Sequence, residues 1–538
     1  MAGKTLIFGN GTCARHIAQE LTGRGIEVIV VTNWATQNKS LDFKVASTFR
    51  GKKEKTAEIL TGARLVSCNG SAGNFSLLFA GNGEKISRTV ATIIIAEKED
   101  RKPDFSLYGI IPSPNVISLS ELSQSLNSNQ IVKKRFSKVK KIVFLTGLFK
   151  ESNPVIAKEI MEACLKLRSD FSIQTYIMTK NLKVGSNGIE ALYRETKKDG
   201  VVYIKFTDTM PDIHQDKDGI LGIDFDDEIT MQKFRLTPDM IVVDETIFPL
   251  DYLDDLARIL KLDTDQNGFT QADNVHRLSV FSNRKGIIVA GSSRSIQSTA
   301  DQVIDASNAA IAAIEPEKSD TAESKGVAEI KSGLCVRCLT CYRICPYRAV
   351  LLNTGLSVDS PACEGCGICV AHCPRGAIKF NEKGPLILPE EKLKTGDIKK
   401  DEKIFPIIYA FCCSRSAVEA GELASCMGRQ LPENLRVIEV PCAGSVSYEH
   451  IFTAFKSGAD GVLLLTCHEG NCHSERGNIY VKGEVEKIID ILLQIGFEQE
   501  RLALKSLASN MGMEFAEIVN GFEKKIVELG PSRLKTEI

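Results

Sequence analysis

The chain is 538 residues long, with a formal net charge of −1 and 43% hydrophobic against 25% charged residues, which leaves room for about three or four globular domains. Near-neutral charge excludes the electrostatic footprint of a nucleic-acid partner or a polybasic membrane contact. No apolar run approaches the ~20 residues of a membrane helix, so direct membrane insertion is excluded as well.

The first residues, Met1-Ala2-Gly3-Lys4, run straight into a strand pattern without the apolar stretch and cleavage site of a signal peptide. The expectation is a cytoplasmic protein, at most peripheral to a membrane through a partner. Over 1–315, short β-branched runs at 5–8, 27–31, 91–95, 141–145, 200–204, 240–243 and 286–290 alternate with helical patterns. That alternation predicts an α/β fold with parallel sheet.

The first run leads into Gly9-Asn10-Gly11-Thr12-Cys13-Ala14, a Gly-x-Gly-x-x-Ala turn opening a helix. In a Rossmann unit Gly9 makes the turn, Gly11 lets backbone approach a pyrophosphate, and Ala14 lets helix pack on strand. The next strand normally ends in an acid for the ribose. Here it ends in Thr32-Asn33, and Asn33 offers a hydrogen bond without charge. A purely structural turn is the alternative. Cys13 and His16 read as packing or helix-face residues, and Cys68 and Cys164 as buried small apolar ones.

Residues 316–332 are polar and read as a linker. Over 333–385 follow Cys335-x2-Cys338-x2-Cys341-x3-Cys345-Pro346 and Cys363-x2-Cys366-x2-Cys369-x3-Cys373-Pro374, the chain's one obvious internal repeat. This is the spacing of two [4Fe–4S] clusters, in which the fourth cysteine of each run ligates the other cluster. Cys335, Cys338, Cys341 and Cys373 are then one ligand set, and Cys363, Cys366, Cys369 and Cys345 the other. A zinc ribbon or disulfides fit less well. Zinc sites pair Cys-x2-Cys units across a longer gap, and clustered cysteines suit cofactors rather than a secreted framework.

A second linker, rich in Lys, Asp and Glu, covers 386–403. Residues 404–538 read as another α/β unit, with strands at 406–411, 435–440 and 461–466 and helices at 482–495 and 513–529. Its cysteines are Cys412, Cys413, Cys426, Cys442, Cys467 and Cys472. Cys467 and Cys472 flank a Gly-containing turn after a strand, and Cys442 ends another. Cys413, Cys442, Cys467 and Cys472 are the best set for a [2Fe–2S] centre, with Cys412 or Cys426 as substitutes. Zinc held by Cys and His is the rival, since His468 and His473 adjoin. These histidines read as hydrogen-bond donors around a cluster.

Three resemblances follow from these motifs. Residues 268–315, with Ala290-Gly291-Ser292 ending a strand before a helix, resemble the closing segment of two-dinucleotide-domain flavoproteins. Most of 1–385 resembles the A subunit of heterodisulfide reductase, a cytoplasmic flavo-iron–sulfur protein. That implies FAD near Gly9, Gly11, Ala14, Asn33, Gly291 and Ser292. Two departures stand out: Ile95-Ala96-Glu97-Lys98 replaces the family's Ala-Thr-Gly turn, and Cys164 alone stands where the family has an extra cysteine cluster. Pro441-Cys442-Ala443-Gly444-Ser445-Val446, Cys467 to His473 and Gly477-Asn478 resemble the delta subunit of methyl-viologen-reducing hydrogenase, which implies a [2Fe–2S] cluster. There, Ser416 replaces one familiar cysteine.

The fusion resembles the B subunit of the quinone-interacting membrane-bound oxidoreductase complex. It implies an electron-transfer subunit linking a membrane quinone module to a reductase such as adenylylsulfate reductase, neighboured by a second flavoprotein subunit. A soluble heterodisulfide reductase complex fed by hydrogenase or formate dehydrogenase, with flavin-based bifurcation, is the alternative. A stand-alone NAD(P)H oxidase lacks support, because Thr146-Gly147-Leu148-Phe149 does not supply a second Gly-x-Gly-x-x-Gly. A structural adaptor is the third reading. No nucleophile–base pair or P-loop is present, so no substrate chemistry is expected.

Overall fold

The computed structural model describes every residue except 1–2, 33–56, 82–83, 128–135, 137, 150, 184, 207–208, 216–220, 228–229, 271–278, 315–325, 353, 382–404 and 534–538. Asn33, most of the first expected linker and all of the second lie outside the described residues. The chain divides into two compact units, Met1–Glu97 with Tyr252–Arg294 and Val303–Ile538, and Lys98–Asp251 with Ser295–Gln302. The stretch 1–315 therefore contributes to both.

In the first unit, five parallel strands lie in the order Ile287–Val289, Thr92–Ile95, Thr5–Phe8, Val28–Thr32 and Glu58–Thr61. The first four carry near-continuous apolar runs that are buried, as a parallel sheet covered on both faces requires, while Glu58–Thr61 is a half-exposed edge. The helix Thr12–Gly23 packs Ile17, Ala18 and Leu21 on one face, together with Ala306, Ala309 and Ala310. Leu253, Leu256 and Leu260 of Tyr252–Leu260 cover the other, against Phe8 and Ile93.

An antiparallel sheet of Arg64–Ser71, Asn74–Gly81 and Glu84–Val90 adjoins this face. It was absent from the strands expected. Its signal is the alternation of Phe75, Leu77 and Phe79, all buried, with outward Ser76 and Leu78.

The second unit repeats the pattern, with parallel strands Val202–Lys205, Gln174–Thr179, Lys141–Leu145, Met240–Val243 and Val116–Ser118 in that order. A three-stranded antiparallel sheet, Asp212–Gln215, Leu221–Asp227 and Gln232–Leu236, accompanies it.

The cysteine repeat forms a small module of two β-pairs and two short helices, Thr340–Ile344 and Ile368–Ala371. One correction concerns its start. The strand Ala328–Ile330 falls inside the expected linker 316–332, yet it pairs with Ile378–Phe380 and closes the module, with Ala328 buried. The polar residues before it masked this short strand.

The last part is a four-stranded parallel sheet in the order Leu435–Val440, Ile408–Cys413, Gly461–Thr466 and Leu502–Ser506. The edge strand Leu502–Ser506 was not expected, since its Lys505 and Ser506 are exposed and dilute the apolar signal. The helix Gly477–Gln494 starts five residues before the expected 482, and that earlier start shapes the site below.

Candidate iron–sulfur centres and the nucleotide fold

All 17 cysteines are free of disulfide bonds. Cys335, Cys338 and Cys341 line one cavity together with Cys373, the last cysteine of the other motif. Cys345 lies instead among Cys363, Cys366 and Cys369, whose thiols all feel its charge. The structure thus brings together the two crossed sets that the spacing predicts. Ala349 N–H donates to Cys345 Sγ at 3.4 Å, and Ala377 N–H donates to Cys373 Sγ at 3.2 Å, the same bond in both copies.

The loops need left-handed backbone at three matched places. The second copy uses glycine at all of them, Gly365, Gly367 and Gly376; the first uses Arg337, Leu339 and Arg348 at φ 53°, 62° and 53°. A side chain there costs on the order of 1–2 kcal/mol. At Gly367 contact adds to conformation, because a Cβ would stand 2.6 Å from Ser445 Cβ. The second copy is the one that docks on the C-terminal sheet.

The environments of the two sets differ. Burial pushes the thiols of Cys363, Cys366 and Cys369 up. Cys338 is exposed, 3.4 Å from Thr340 Oγ1, a contact that lowers its thiol.

The third set forms at the C-terminal ends of the parallel strands, where loops converge in open α/β sheets. Cys413 ends Ile408–Cys413, Cys442 follows Leu435–Val440, and Cys467 follows Gly461–Thr466. Cys413, Cys442, Cys467 and Cys472 share one buried cluster. Strand alternation separates the adjacent candidates: Cys412 points to the opposite face, among Ala410, Leu463 and Phe515. Cys426 is exposed at the end of Ala417–Cys426. Neither substitute joins the set.

Within the set Cys413 neighbours Cys467, and Cys472 neighbours both Cys467 and Cys442. Contact with Cys467 pulls Cys413 down, and contact with Cys442 and Cys467 pulls Cys472 down. The same contacts push Cys442 and Cys467 up. Ser416 is 1% exposed, its N–H donates to Cys413 O at 3.2 Å, and its buried Oγ has no hydrogen-bond partner among the described residues. His468 Nε2 lies 3.5 Å from Met511 Sδ.

Cys369 is within electrostatic reach of Cys341, and Cys366 within reach of both Cys472 and Cys442. The three sets therefore stand in file, with the Cys363 set in the middle. Tyr347, buried and not anticipated from sequence, lies within electrostatic reach of both the middle and the third sets. Its hydroxyl is 3.2 Å from Ser474 Oγ and 3.4 Å from His473 O. Ile368 of the middle loop belongs to the same buried cluster as the third-set cysteines.

Among the described residues no group of three or more His, Cys, Asp or Glu closes on a single ion. Cluster ligands need not do so, because each iron of a cubane takes its own thiolate. Thiol-only donors in three buried or half-buried cradles fit iron–sulfur groups.

In the nucleotide fold, Gly9 has φ +134° and a Cβ there would meet Ala96 O at 2.2 Å, so turn and neighbouring strand are in contact. Gly11 caps Thr12–Gly23 without a side-chain bond, the first turn has no acid, and Ala14 is buried. These features suit a diphosphate. Gly291 and Ser292 lie buried in the turn Gly291–Ser293, where Gly291 N–H donates to Asp305 Oδ2 at 3.2 Å. Glu97, 6% exposed, takes the Tyr252 hydroxyl on its carboxylate, and its N–H donates to Ser293 Oγ at 2.7 Å. Arg294 pairs with Asp305 at 3.1 Å. The turn fits the group, but the buried Glu97 carboxylate opposes an anionic one.

The fold and the cysteine sets define an iron–sulfur oxidoreductase subunit. Residues 408–530 match the family of methyl-viologen-reducing hydrogenase, delta subunit, and 356–379 match the 4Fe-4S binding domain. The iron–sulfur D subunit of F420-non-reducing hydrogenase from Archaeoglobus profundus is 32% identical over 130 residues, 24% of this chain and 95% of that protein. Through this part the chain belongs to the methyl-viologen-reducing hydrogenase delta-subunit family.

The remainder of the fusion is like the A subunit of heterodisulfide reductase. The A subunit of ferredoxin/F(420)H(2)-dependent CoB-CoM heterodisulfide reductase from Methanosarcina acetivorans is 24% identical over 356 residues. The match covers 65% of this chain and 44% of that protein, so the chain spans under half of that relative's length. Thioredoxin reductase from T. acidophilum aligns with TM-score 0.38 and 16% identity, over 59% of this chain and 99% of that chain. No helix among the described residues is long and apolar enough to cross a membrane.

Proposed function

We propose that this chain is a one-electron relay of a multi-subunit oxidoreductase. It holds a [4Fe–4S] cluster on Cys335, Cys338, Cys341 and Cys373, and a second on Cys363, Cys366, Cys369 and Cys345. Cys413, Cys442, Cys467 and Cys472 hold a [2Fe–2S] cluster. The file of three cysteine sets carries this reading. Bound clusters supply reversible one-electron storage. The protein's own part is to fix the thiolates, donate Ala349 and Ala377 N–H to sulfur, and exclude water around Cys442 and Cys472.

FAD belongs to the same proposal, at Gly9, Gly11, Ala14, Gly291 and Ser292, with Asn33 assigned from sequence alone. When bound it supplies conversion between two-electron and one-electron chemistry. Oxygen-free reconstitution tests the cluster reading: about ten irons per chain support three centres, and about eight remove the third.

The matched relatives are named as subunits of hydrogenases and of heterodisulfide reductases. That favours a cytoplasmic complex fed by hydrogenase or formate dehydrogenase over the assembly linking membrane quinones to adenylylsulfate reductase. Anaerobic affinity purification from the native host decides between them. Co-purifying hydrogenase or formate dehydrogenase supports the first. A quinone-reactive membrane subunit with a second flavoprotein supports the other.

A further inference from the structure

We propose that the first turn of the helix Gly477–Gln494 is the seat of the Cys442–Cys472 thiolate pair. Gly477 admits the sulfurs, and the backbone N–H of Asn478 sets the third centre's affinity for an electron. This rests on the reading of that centre as iron–sulfur.

Gly477 is not demanded by backbone conformation, because it is absent from the positive-φ glycines. It is demanded by space. A Cβ on Gly477 would stand 2.2 Å from Cys442 Sγ and 3.5 Å from Cys472 Sγ. Gly444, two residues after Cys442, repeats the requirement from the other side, since its Cβ would stand 2.8 Å from Gly477 Cα. Two glycines thus let two backbones and two sulfurs share one small volume.

The same turn supplies donors. The first N–H groups of a helix have no partner inside it. Here Arg476 gives no side-chain cap, and the first turn carries no acid. Asn478 is the second residue of this helix, directly after Gly477, whose Cβ would stand 3.5 Å from Cys472 Sγ, so its N–H opens beside that sulfur. The Asn478 side chain, 5% exposed, donates to Cys467 O at 3.0 Å and His468 O at 2.8 Å. It therefore fixes the strand end carrying Cys467 against the helix start. N–H donors and a helix N-terminus both favour the more negative state of a thiolate-bound group. The turn accordingly makes the third centre easier to reduce.

The test uses the full chain, loaded with iron and sulfide without oxygen. Iron is counted, and the third-centre EPR signal is followed in a redox titration. Gly477→Ala is expected to lose that signal and about two irons while about eight remain. Alanine is a good helix former, so retained cubane iron shows that the chain still folds.

Asn478→Ala and Asn478→Pro then separate the side chain from the N–H. Proline is tolerated in a first turn and differs by lacking the donor. The expected result is a more negative midpoint for Asn478→Pro than for Asn478→Ala. Full iron with an unchanged signal in Gly477→Ala, or equal midpoints in the two Asn478 variants, overturns the proposal. Wild-type protein with cubane iron only overturns the third-centre reading itself.

Discussion

At the scale of single residues, the two copies of the cysteine motif show what contact adds to conformation. Leu339 and Gly367 occupy matched left-handed positions, but only Gly367 faces Ser445. Gly367→Ala is expected to lower the melting temperature of the cluster-loaded chain. Adding Ser445→Gly should recover the contact part and leave about 1–2 kcal/mol of conformational strain. No recovery in the double variant would place the cost elsewhere. A one-residue step decides the next case. Cys412 and Cys413 are adjacent, and strand alternation sends them to opposite faces. Cys413→Ala should cost third-centre iron and its EPR signal; Cys412→Ala should keep both. Equal loss would mean that the two faces are not independent.

At the scale of elements, what sequence revealed depended on how far each signal reaches along the chain. The cysteine spacing and the Gly-x-Gly-x-x-Ala turn are local, so both were legible. The antiparallel sheet around Asn74–Gly81 was legible in principle, through its alternation of Phe75, Leu77 and Phe79, but alternating positions such as Leu78 blurred it. The role of Gly477 was not legible, because its crowding comes from Cys442, thirty-five positions away, through a turn only the fold brings near. Tyr347 likewise reads as an ordinary loop residue until Ser474 is placed beside it. The strand Thr92–Ile95 carries the element-scale prediction. It ends beside Glu97, whose N–H donates to Ser293 in the Gly291–Ser293 turn and whose buried carboxylate takes the Tyr252 hydroxyl. A buried like charge near a diphosphate weakens its binding, and a tenfold effect corresponds to about 1.4 kcal/mol. Glu97→Thr is expected to tighten FAD binding about tenfold, read by quenching of flavin fluorescence. An unchanged affinity would separate Glu97 from the nucleotide site.

At the scale of the first unit, the order of the centres matters more than their number. The middle set lies within electrostatic reach of both others, of Cys341 on one side and of Cys442 and Cys472 on the other. The first set ends at an exposed cysteine, Cys338, whereas the third set is buried beside the middle loop. On the proposed relay, an electron that enters at the C-terminal sheet would pass the middle set before reaching the exposed end. Proximity of this kind has a signature that needs no partner protein. When neighbouring centres are both reduced, each broadens the other's EPR signal and speeds its relaxation. Replacing Cys363 and Cys369 with alanine should sharpen the third-centre signal. Replacing Cys335 and Cys338 should leave it broadened, because the first set lies beyond the middle one. Equal sharpening by both pairs would contradict the file. Sharpening by the second pair alone would reverse its order and make the first motif the neighbour of the C-terminal centre.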